Sequence, residues 1–484
     1  MRRVAFVRGA AAGLSAFVLA PRGARASASD TVDYSLTARS ITFSPWPGLN
    51  VPSLAYDGML PGPTLRVVHG QRVRVRYLNR TAEPTAVHWH GMILPNAMDG
   101  VAGITQPAVD PGGSFLYEFA PDPSGTRWYH DHANGTNPMR GLFGMFVVED
   151  PHDERAGAEF AIVLHDVPRA GSMDEAMNGR SGAPMIDPLD SPEMRGMRPD
   201  DRMGDEVSYV AHCINGATYP KTTPLQVKVG QLVRLRILNA NQTQTRYVRL
   251  AGHRLRVTHA DGNPLARPLE VDALRIGVAE RYDAWFEVRK PGAWLLQGLS
   301  SDPLAFEQAV VIHTEGMERA TPEGSSESLE GVDYFTYEKV AGLSPGPFVV
   351  PAAQVRASFV LAGGKYGSSR WTMNGKTWPD TQKLLVRHGD DVIVRFQNKT
   401  DMDHPMHLHG HTFDIAEIDG RGLVRPLAKD TSLVRANGGT LTWRFRASSP
   451  PGRWLLHCHN DIHMMDGMMA EVVYRPSAST QLDR

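Results

Sequence analysis

One short pattern occurs three times in this chain and strongly limits what it can fold into. VVHGQRVRVRYLN begins at Val67, VKVGQLVRLRILN at Val227 and VRHGDDVIVRFQN at Val386, and their glycines are 160 and 159 residues apart. Each copy alternates apolar and polar residues, which is typical of a half-buried β-strand. A turn signal precedes each copy: Asp57-Gly58, Asn215-Gly216 and Asn374-Gly375. The repeat therefore predicts an all-β chain made of three copies of one domain.

The length of 484 residues suits about three domains. From the repeat we predict domains at residues 30–152, 158–316 and 345–484. The second domain has an insertion at residues 168–206 that is rich in Gly, Pro, Asp and Arg and lacks a sustained apolar period, so we expect a long loop there.

Residues 1–28 have the features of an export signal peptide. A basic start precedes an apolar run, from about Gly9 to Ala20, that is too short to span a bilayer, and small-residue cleavage sites follow it. Arg2-Arg3 suggests the twin-arginine route. We expect an exported bacterial protein, periplasmic or secreted, with no membrane span. The net charge of −1 argues against a nucleic-acid partner, so we expect a small one.

The repeat also shows where metal ligands can lie. Nine and eleven residues after the last Asn of the pattern, the first copy has His88 and His90 and the third has His407 and His409, whereas the second has Val248 and Leu250. Near the domain ends, the first domain has His130 and His132 and the third has His457, Cys458 and His459, where the second has Gln297, Gly298 and Leu299. The second domain therefore resembles a spacer without metal.

The segment HCHNDIHMMDGMM, from His457 to Met469, combines a thiolate, imidazoles and a thioether. Cys458, His463 and Met468 match the two-His, one-Cys, long-Met pattern of blue-copper sites, and His404 can supply the missing imidazole. In a strand, Cys458 points away from its two neighbouring histidines, so one strand can join two metal sites. A disulfide would remove Cys458 from its site, so we expect Cys213 to be a buried thiol.

An isolated His-x-His pair is more often a pair of satisfied polar residues than a metal site. Here four histidine-rich elements, around His88, His130, His407 and His457, together supply enough ligands for two sites. Once the mononuclear site has its ligands, eight histidines remain, the number that a trinuclear copper cluster needs. These are His88, His90, His130, His132, His407, His409, His457 and His459.

The elements HWHG, WYHDH, HPMHLHG and HCHNDIHMMDGM resemble those of three-domain multicopper oxidases, the laccase-like enzymes, and in particular bacterial copper-resistance oxidases. The resemblance implies three cupredoxin-like Greek-key β-barrel domains and four copper ions, one type 1, one type 2 and two type 3. It places type 1 copper at His404, Cys458 and His463 with axial Met468, and type 2 copper at His88 and His407. It places the type 3 pair at His90, His130 and His459 and at His132, His409 and His457.

These ligands imply an oxidase that takes electrons one at a time from a donor, through Cys458, and reduces O2 to water. Asp99, eleven residues after His88, matches the acid that similar enzymes place beside the type 2 site, so we assign it proton supply. The alternative is a turn residue before Gly100. The family often has a Glu directly after the second type 1 histidine. Met464 occupies that position here, and Asp466 or another group is the alternative proton donor.

Methionine gives the best indication of the donor. Six methionines lie between residues 173 and 203, and thioethers bind Cu(I) well. This segment is either a cuprous-ion site or a surface loop with incidental methionines; Met464, Met465 and Met469 are likewise either soft ligands or packing residues. Our first hypothesis is an oxidase of Cu(I), or also Fe(II), in copper tolerance. The alternatives are a laccase acting on phenols and aromatic amines, and a non-enzymatic copper-binding protein.

All predicted ligands lie in one chain, so no oligomer is required and we expect a monomer. Five histidines of the second domain lie at none of the ligand offsets, and we interpret them as structural. They are His165, His212, His253, His259 and His313.

Overall fold

The computed structural model describes residues 31–172, 207–299, 308–325, 331–363 and 370–476. This part of the chain consists of β-strands with a few short helices, arranged as two sheets in each third of the sequence. The predicted all-β fold is confirmed. The predicted domain boundaries stay predictions. The predicted signal peptide and the Met-rich segment lie outside the described residues.

The first domain contains a sheet of order β2-β1-β4-β6 and one of order β3-β8-β7-β5. A short 3-10 helix, Asn96–Met98, and α1, Thr136–Met139, lie in its connections. Its strands are β1 Thr31–Phe43, β2 Val51–Tyr56, β3 Leu65–Val68, β4 Arg72–Arg80, β5 Val87–His90, β6 Ser114–Phe119, β7 Gly125–Asp131 and β8 Phe143–Glu149.

The second domain has two sheets of six strands, ordered β10-β9-β12-β17-β14-β15 and β11-β19-β18-β13-β16-β20. The last of these strands lies beyond residue 316, the predicted end of the domain. The strands are β9 Ala158–Pro168, β10 Tyr209–Ile214, β11 Leu225–Val227, β12 Leu232–Asn239, β13 Arg246–Leu250, β14 Leu255–Ala260, β15 Asn263–Val271, β16 Ala273–Ile276, β17 Arg281–Glu287, β18 Ala293–Leu299, β19 Ala309–Thr314 and β20 Tyr334–Phe335.

The third domain follows α2, Tyr337–Ala341, and includes α3, Asp461–Met465. Its sheets have the orders β21-β28-β27-β31-β25-β22-β23, with β29 paired to β27, and β24-β33-β32-β26-β30. The strands are β21 Leu343–Pro347, β22 Val355–Ala362, β23 Thr372–Met373, β24 Leu384–Val386, β25 Asp391–Asn398, β26 His404–Leu408, β27 Phe413–Ile418, β28 Arg421–Leu423, β29 Ala428–Lys429, β30 Thr431–Val434, β31 Thr440–Arg446, β32 Arg453–Cys458 and β33 Met469–Tyr474.

The three copies of the repeat adopt equivalent positions. The repeated strand (β4, β12 or β25) pairs in parallel with the first long strand of its domain (β1, β9 or β22). In the turn before each copy, Asp57, Asn215 and Asn374 have positive φ and are followed by glycine, as the sequence predicts. Their side-chain oxygens accept hydrogen bonds from the main-chain NH of Thr37, Val163 and Val360.

The repeated strands differ in how their polar faces are used. In β4, Val73, Val75 and Tyr77 are buried and the arginines between them are exposed or half-buried, as predicted. In β12 both faces are buried, because Arg234 and Arg236 form ion pairs with Asp283 on the neighbouring strand. Charges are buried in this way only when they are paired and hydrogen-bonded. Hydrophobic alternation alone could not predict this.

Candidate copper centres

Two neighbouring strands of the first domain carry its predicted ligands. In β5, Val87 and Trp89 face the hydrophobic core, so the alternation of the strand turns His88 and His90 to the opposite face. His130 on β7 lies directly opposite His88 in the antiparallel register. His132 follows the end of β7, where its main-chain NH donates to Ala86 O at 2.9 Å. The sheet therefore gathers these four imidazoles on one surface.

The third domain repeats this arrangement with two further strands. His407 on β26 lies opposite His457 on β32, and Met406 lies opposite Cys458. The thiol and the imidazole of His457 consequently face opposite sides of the sheet, as predicted. Cys458 is the last residue of β32, and α3 begins at Asp461.

On one side, three buried side chains form a mononuclear group. His404 Nδ1 and His463 Nδ1 are 3.0 Å apart, and Cys458 Sγ lies 3.6 Å from the first and 3.4 Å from the second. All three side chains are fully buried. The side chain of Asn460 caps α3 by accepting from the main-chain NH of Ile462 and His463, which fixes the first turn that carries His463.

Met468 is fully buried beside this group. Its carbonyl accepts from Cys458 N at 3.0 Å, and its own NH donates to His463 O at 2.9 Å. The main chain thus holds the thioether residue next to two members of the group.

On the other side, histidines of the first and third domains meet. The ring centroids of His90 and His407 are 3.7 Å apart, and those of His88 and His409 are 3.9 Å apart. Three sets of three imidazoles each have ligand atoms within 4.8 Å of one another, and a fourth set joins His90 and His407 to Asp430. The eighth imidazole, His459, packs against His90 and His130. The three sets are His88, His407 and His409; His88, His90 and His130; and His132, His409 and His457.

The hydrogen-bonding of these rings fits a metal cluster. Nδ1 donates to a main-chain carbonyl in His88, His130, His407 and His457, at 2.7 to 2.9 Å. The opposite nitrogen is buried without a hydrogen-bond partner in His88, His130 and His407, as is Nε2 of His132. Buried polar atoms are rarely left without partners, and metal-binding imidazoles are usually oriented through the other nitrogen. The residues present therefore fit bound copper.

Burial favours the neutral form, which metals bind, in eight of the site imidazoles. It is the largest cause of the lowered pKa in each of the histidines affected, and the neighbouring histidines lower the values further at most positions. The pKa of His457 is lowered to about 4, and the values lie well below the usual range in His90, His130, His132, His404, His407, His409 and His459.

Asp99 lies between ligands of both domains. Its main-chain oxygen accepts from His88 Nδ1 at 2.7 Å, and its carboxylate Oδ2 lies 3.0 Å from His409 Nδ1. The turn interpretation also describes the local chain, because Gly100 has a φ of +81° and a Cβ there would overlap Val87 O. The two interpretations are compatible, since the turn presents a fully buried carboxylate to the cluster.

Sequence analysis missed two features of the site. Trp371 is 5% exposed and lies over His463, with ring centroids 3.8 Å apart; its main-chain NH donates to Asp466. Asp430 lies 3.1 Å from His90 Nε2, and its main-chain oxygen accepts from His407 Nδ1. Neither residue has a motif or a ligand spacing, so only the packing identifies them.

The histidines interpreted as structural lie apart from these groups within the described ranges. His212, for example, contacts Asp166 in a buried ion-pair network of the second domain. Cys213 is fully buried in β10.

A three-domain β fold with one cysteine–histidine group and one interdomain histidine cluster defines a copper protein with two kinds of centre. The comparisons agree with this class. Models of the multicopper oxidase family match residues 37–153, 191–314 and 351–478. Multicopper oxidase MmcO of Mycobacterium tuberculosis is 35% identical over 96% of this chain and 91% of its own, and Copper resistance protein A of Escherichia coli is 25% identical over 86% and 88%.

The crystal structure of a multi-copper oxidase from Pseudomonas Thermotolerans, 27% identical, covers 92% of this chain and 100% of its own with a TM-score of 0.68. The chain belongs to the multicopper oxidases. It is therefore an oxidoreductase with copper as its cofactor, and the predicted cupredoxin-like fold is confirmed.

Proposed function

We propose that the mononuclear group, with Met468, holds the type 1 copper and that the eight remaining histidines hold the trinuclear cluster. The type 2 and type 3 ligands are those expected from the sequence. Copper bound there supplies the redox chemistry, four one-electron oxidations of a donor coupled to reduction of one O2 to two waters. Cys458 is joined through the main chain to His457 and His459, so a short covalent path connects the two centres.

Asp99 serves as the proton-supplying group. A carboxylate within hydrogen-bonding distance of His409 and adjacent to His88 is close enough to supply protons for the O2 reduction that copper held by these histidines would carry out. Replacing Asp99 by Asn keeps the shape but removes the acid. We expect Asp99→Asn to slow O2 reduction about 10²- to 10⁴-fold, while reduction of the type 1 centre by the donor keeps its rate.

The donor is Cu(I), and the observation that carries this proposal is the covering of His463. The imidazole is fully buried, and the tilted ring of Trp371 covers it with centroids 3.8 Å apart, which leaves little space for an aromatic substrate to pack against the imidazole. Met464 and Met465, both half-buried in α3, place soft sulfur on the adjoining surface, where their side chains approach Gly135 of the first domain. A small soft ion suits this surface better than a phenol.

The laccase hypothesis requires an opening above His463, which Trp371 covers. Fe(II) stays a second candidate donor because it is also a small ion. The chain belongs to a family of oxidases, so we do not propose a non-enzymatic copper-binding role. We further propose that the protein is an exported monomer that acts in copper tolerance; the export signal in residues 1–28 supports the first part. No helix in the described ranges is long and apolar enough to cross a membrane.

Oxygen consumption by the copper-loaded protein tests the donor. We expect faster turnover with Cu(I) than with a dimethoxyphenol. Trp371→Ala should raise phenol turnover and leave Cu(I) turnover close to that of the original protein, whereas Trp371→Phe, which keeps an aromatic cover, is the matched control. Replacing residues 173–203 with a Gly/Ser linker tests the Met-rich segment. If the phenol is the better substrate and the linker leaves Cu(I) turnover unchanged, the protein is a laccase.

A further inference from the structure

Asp430 and Thr431, where β29 ends and β30 begins in the third domain, contact one predicted cluster histidine from each of two domains. Asp430 Oδ1 lies 3.1 Å from His90 Nε2, and its main-chain oxygen accepts from His407 Nδ1 at 2.8 Å. Thr431 Oγ1 lies 3.1 Å and 3.2 Å from the same two nitrogens. Both side chains are fully buried.

This contact orients His90 differently from its neighbours. In His88, His130 and His407, Nδ1 is held by a carbonyl and Nε2 is buried without a partner. In His90, Nε2 is held by Asp430, and Nδ1 is the buried nitrogen without a partner. A carboxylate that accepts from one ring nitrogen fixes both the tautomer and the ring orientation of a metal-binding histidine. The nitrogen that His90 offers to the cluster therefore depends on Asp430.

The Asp430 carboxylate is itself held by the second domain. Arg281, at the start of β17, donates from Nη1 to Oδ1 at 2.7 Å and from Nη2 to Oδ2 at 2.6 Å. Arg127 on β7 of the first domain adds a longer contact of 3.4 Å. All three side chains are fully buried, and two parallel NH···O bonds fix a carboxylate in position as well as in charge. Asp430 of the third domain, Arg281 of the second and Arg127 of the first thus meet beside the predicted cluster.

The ion pair of Asp430 and Arg281 occupies the space where a side chain of Gly91, the residue after His90, would lie. Gly91 has a φ of +80°, and a Cβ there would overlap the Asp430 carboxylate and lie 2.6 Å from Arg281 Nη2. The glycine of the HWHG element therefore allows the ion pair to pack directly against the chain that carries His90.

We propose that Asp430 and Arg281 are positioning residues of the trinuclear site: Arg281, from the domain without copper ligands, fixes the Asp430 carboxylate, which fixes the ring of His90. The main-chain oxygen of the same residue holds the ring of His407. The second domain is then part of the machinery of the cluster and more than a spacer. The inference rests on the ligand assignment proposed above. A buried ion pair that only stabilises the domain interface is the alternative explanation.

The test compares Asp430→Asn and Arg281→Gln with a matched pair. Asp166 and Arg246 of the second domain are equally buried, are joined at 2.7 Å, and contact His212 and Gln308 in the same domain. The controls are therefore Asp166→Asn and Arg246→Gln. Each purified variant is loaded with copper, and four properties are measured: copper per chain, the EPR spectrum of the cluster copper, the blue absorption of type 1 copper and the temperature of unfolding.

We expect Asp430→Asn and Arg281→Gln to weaken copper binding at the cluster about 10- to 100-fold and to alter the EPR spectrum of the cluster copper, while the blue absorption is kept. The controls should lower the unfolding temperature without changing either copper signal. If the test variants instead keep three cluster coppers with the original affinity and signal, and lose only stability as the controls do, the proposal is wrong.

Two further variants cover the case in which these proteins do not fold. Arg281→Lys keeps a buried positive charge but loses the paired geometry, and Thr431→Val removes one contact to each of His90 and His407. Both should change the EPR spectrum of the cluster copper, and unchanged spectra in both would overturn the proposal. Failure of the ligand assignment gives a different result. In that case the variant His407→Gln would keep the type 2 EPR signal of the original protein.

Discussion

Single ring nitrogens decide what the histidines of this protein can do. A neutral imidazole has one donor and one acceptor nitrogen, and the hydrogen bond made by one determines the role of the other. In His130 and His407 a carbonyl holds Nδ1, whereas in His90 a carboxylate holds Nε2. The sequence predicted which histidines gather in the site. It could not predict which nitrogen each one presents, because no spacing rule covers the partners: the partner of His130 is the next residue, whereas the partner of His90 is Asp430 of another domain.

The variant Cys458→Ser distinguishes the type 1 centre from the trinuclear cluster. Serine lacks the soft thiolate that copper prefers, so the type 1 copper should be lost while the eight cluster histidines stay in place. We expect about one copper fewer per chain, no blue absorption and no measurable oxidation of the donor. Metal analysis and absorption spectra check this. Retained blue colour would show that the type 1 site lies elsewhere.

His165 makes the stability of the second domain depend on pH. Its side chain is buried between Phe43 and Phe143, and burial lowers its pKa to about 4. The unfolded chain, with a pKa of about 6.5, binds a proton first as the pH falls. This contribution to stability is therefore complete above pH 6.5 and is lost progressively between pH 6.5 and 4.

The variant His165→Leu lacks this titration. Relative to the original protein, we expect it to gain about 2 kcal/mol on going from pH 7.5 to pH 5, measured as a change in the difference between the two unfolding temperatures. An exposed substitution, His152→Gln, is the control. A constant difference between the two proteins from pH 7.5 to 5 would contradict the assignment of the titration to His165.

Among the elements, the repeated strands each end in a buried asparagine with an equivalent role. Asn398 donates to the carbonyls of Met402 and Val434, and Asn239 donates to those of Gln244 and Ile276. The side-chain oxygen of Asn398 also accepts from the hydroxyl of Thr400, which bonds His404 Nε2 at 2.9 Å.

The variants Asn398→Ala and Asn239→Ala test the additional contact that Asn398 makes to Thr400 and, through it, to His404. Each leaves buried carbonyls without donors, so each should lose about 2 kcal/mol or more of unfolding free energy. Only Asn398→Ala should also change the blue absorption, because it loosens Thr400 beside His404. Denaturation curves and absorption spectra provide the measurement. Equal spectral changes in both variants would mean that the link through Thr400 has no effect.

Much at the scale of elements was predictable from the sequence. The alternation in β4, the turns at Asp57 and Asn374 and the pairing of histidines along β5 follow local rules of strand and turn chemistry. Other elements were not. The segment after Cys458 leaves the strand and forms α3, which begins at Asp461, and β12 buries both faces because its arginines are paired. Long-range ion pairs leave no periodic signal in the sequence.

At the scale of the whole molecule, copper binding and folding are coupled. The cluster ligands come from two domains that meet around them, so a metal that binds only the folded chain stabilises it. At a free copper concentration about 1,000-fold above the dissociation constant, one site adds about 4 kcal/mol. We expect removal of copper to lower the unfolding temperature by several degrees. Calorimetry of loaded and copper-free protein checks this, and equal temperatures would contradict an interdomain cluster.

The contribution of the second domain is what the sequence could least predict. Its lack of ligands suggests a spacer, and nothing near Arg281 in the sequence indicates that the side chain reaches a carboxylate of the third domain. Only the folded arrangement places it beside the cluster. The repeat therefore predicts the domains, and the spatial relation between them has to come from the structure.

The most direct test of the account is the location of the metal. Crystals of the copper-loaded protein, measured at the copper absorption edge, give anomalous peaks only where copper lies. We predict four peaks per chain: one among His404, Cys458 and His463, and three among the eight histidines between the first and third domains. A missing peak at Cys458, or fewer than three peaks between the domains at full copper loading, would contradict the account.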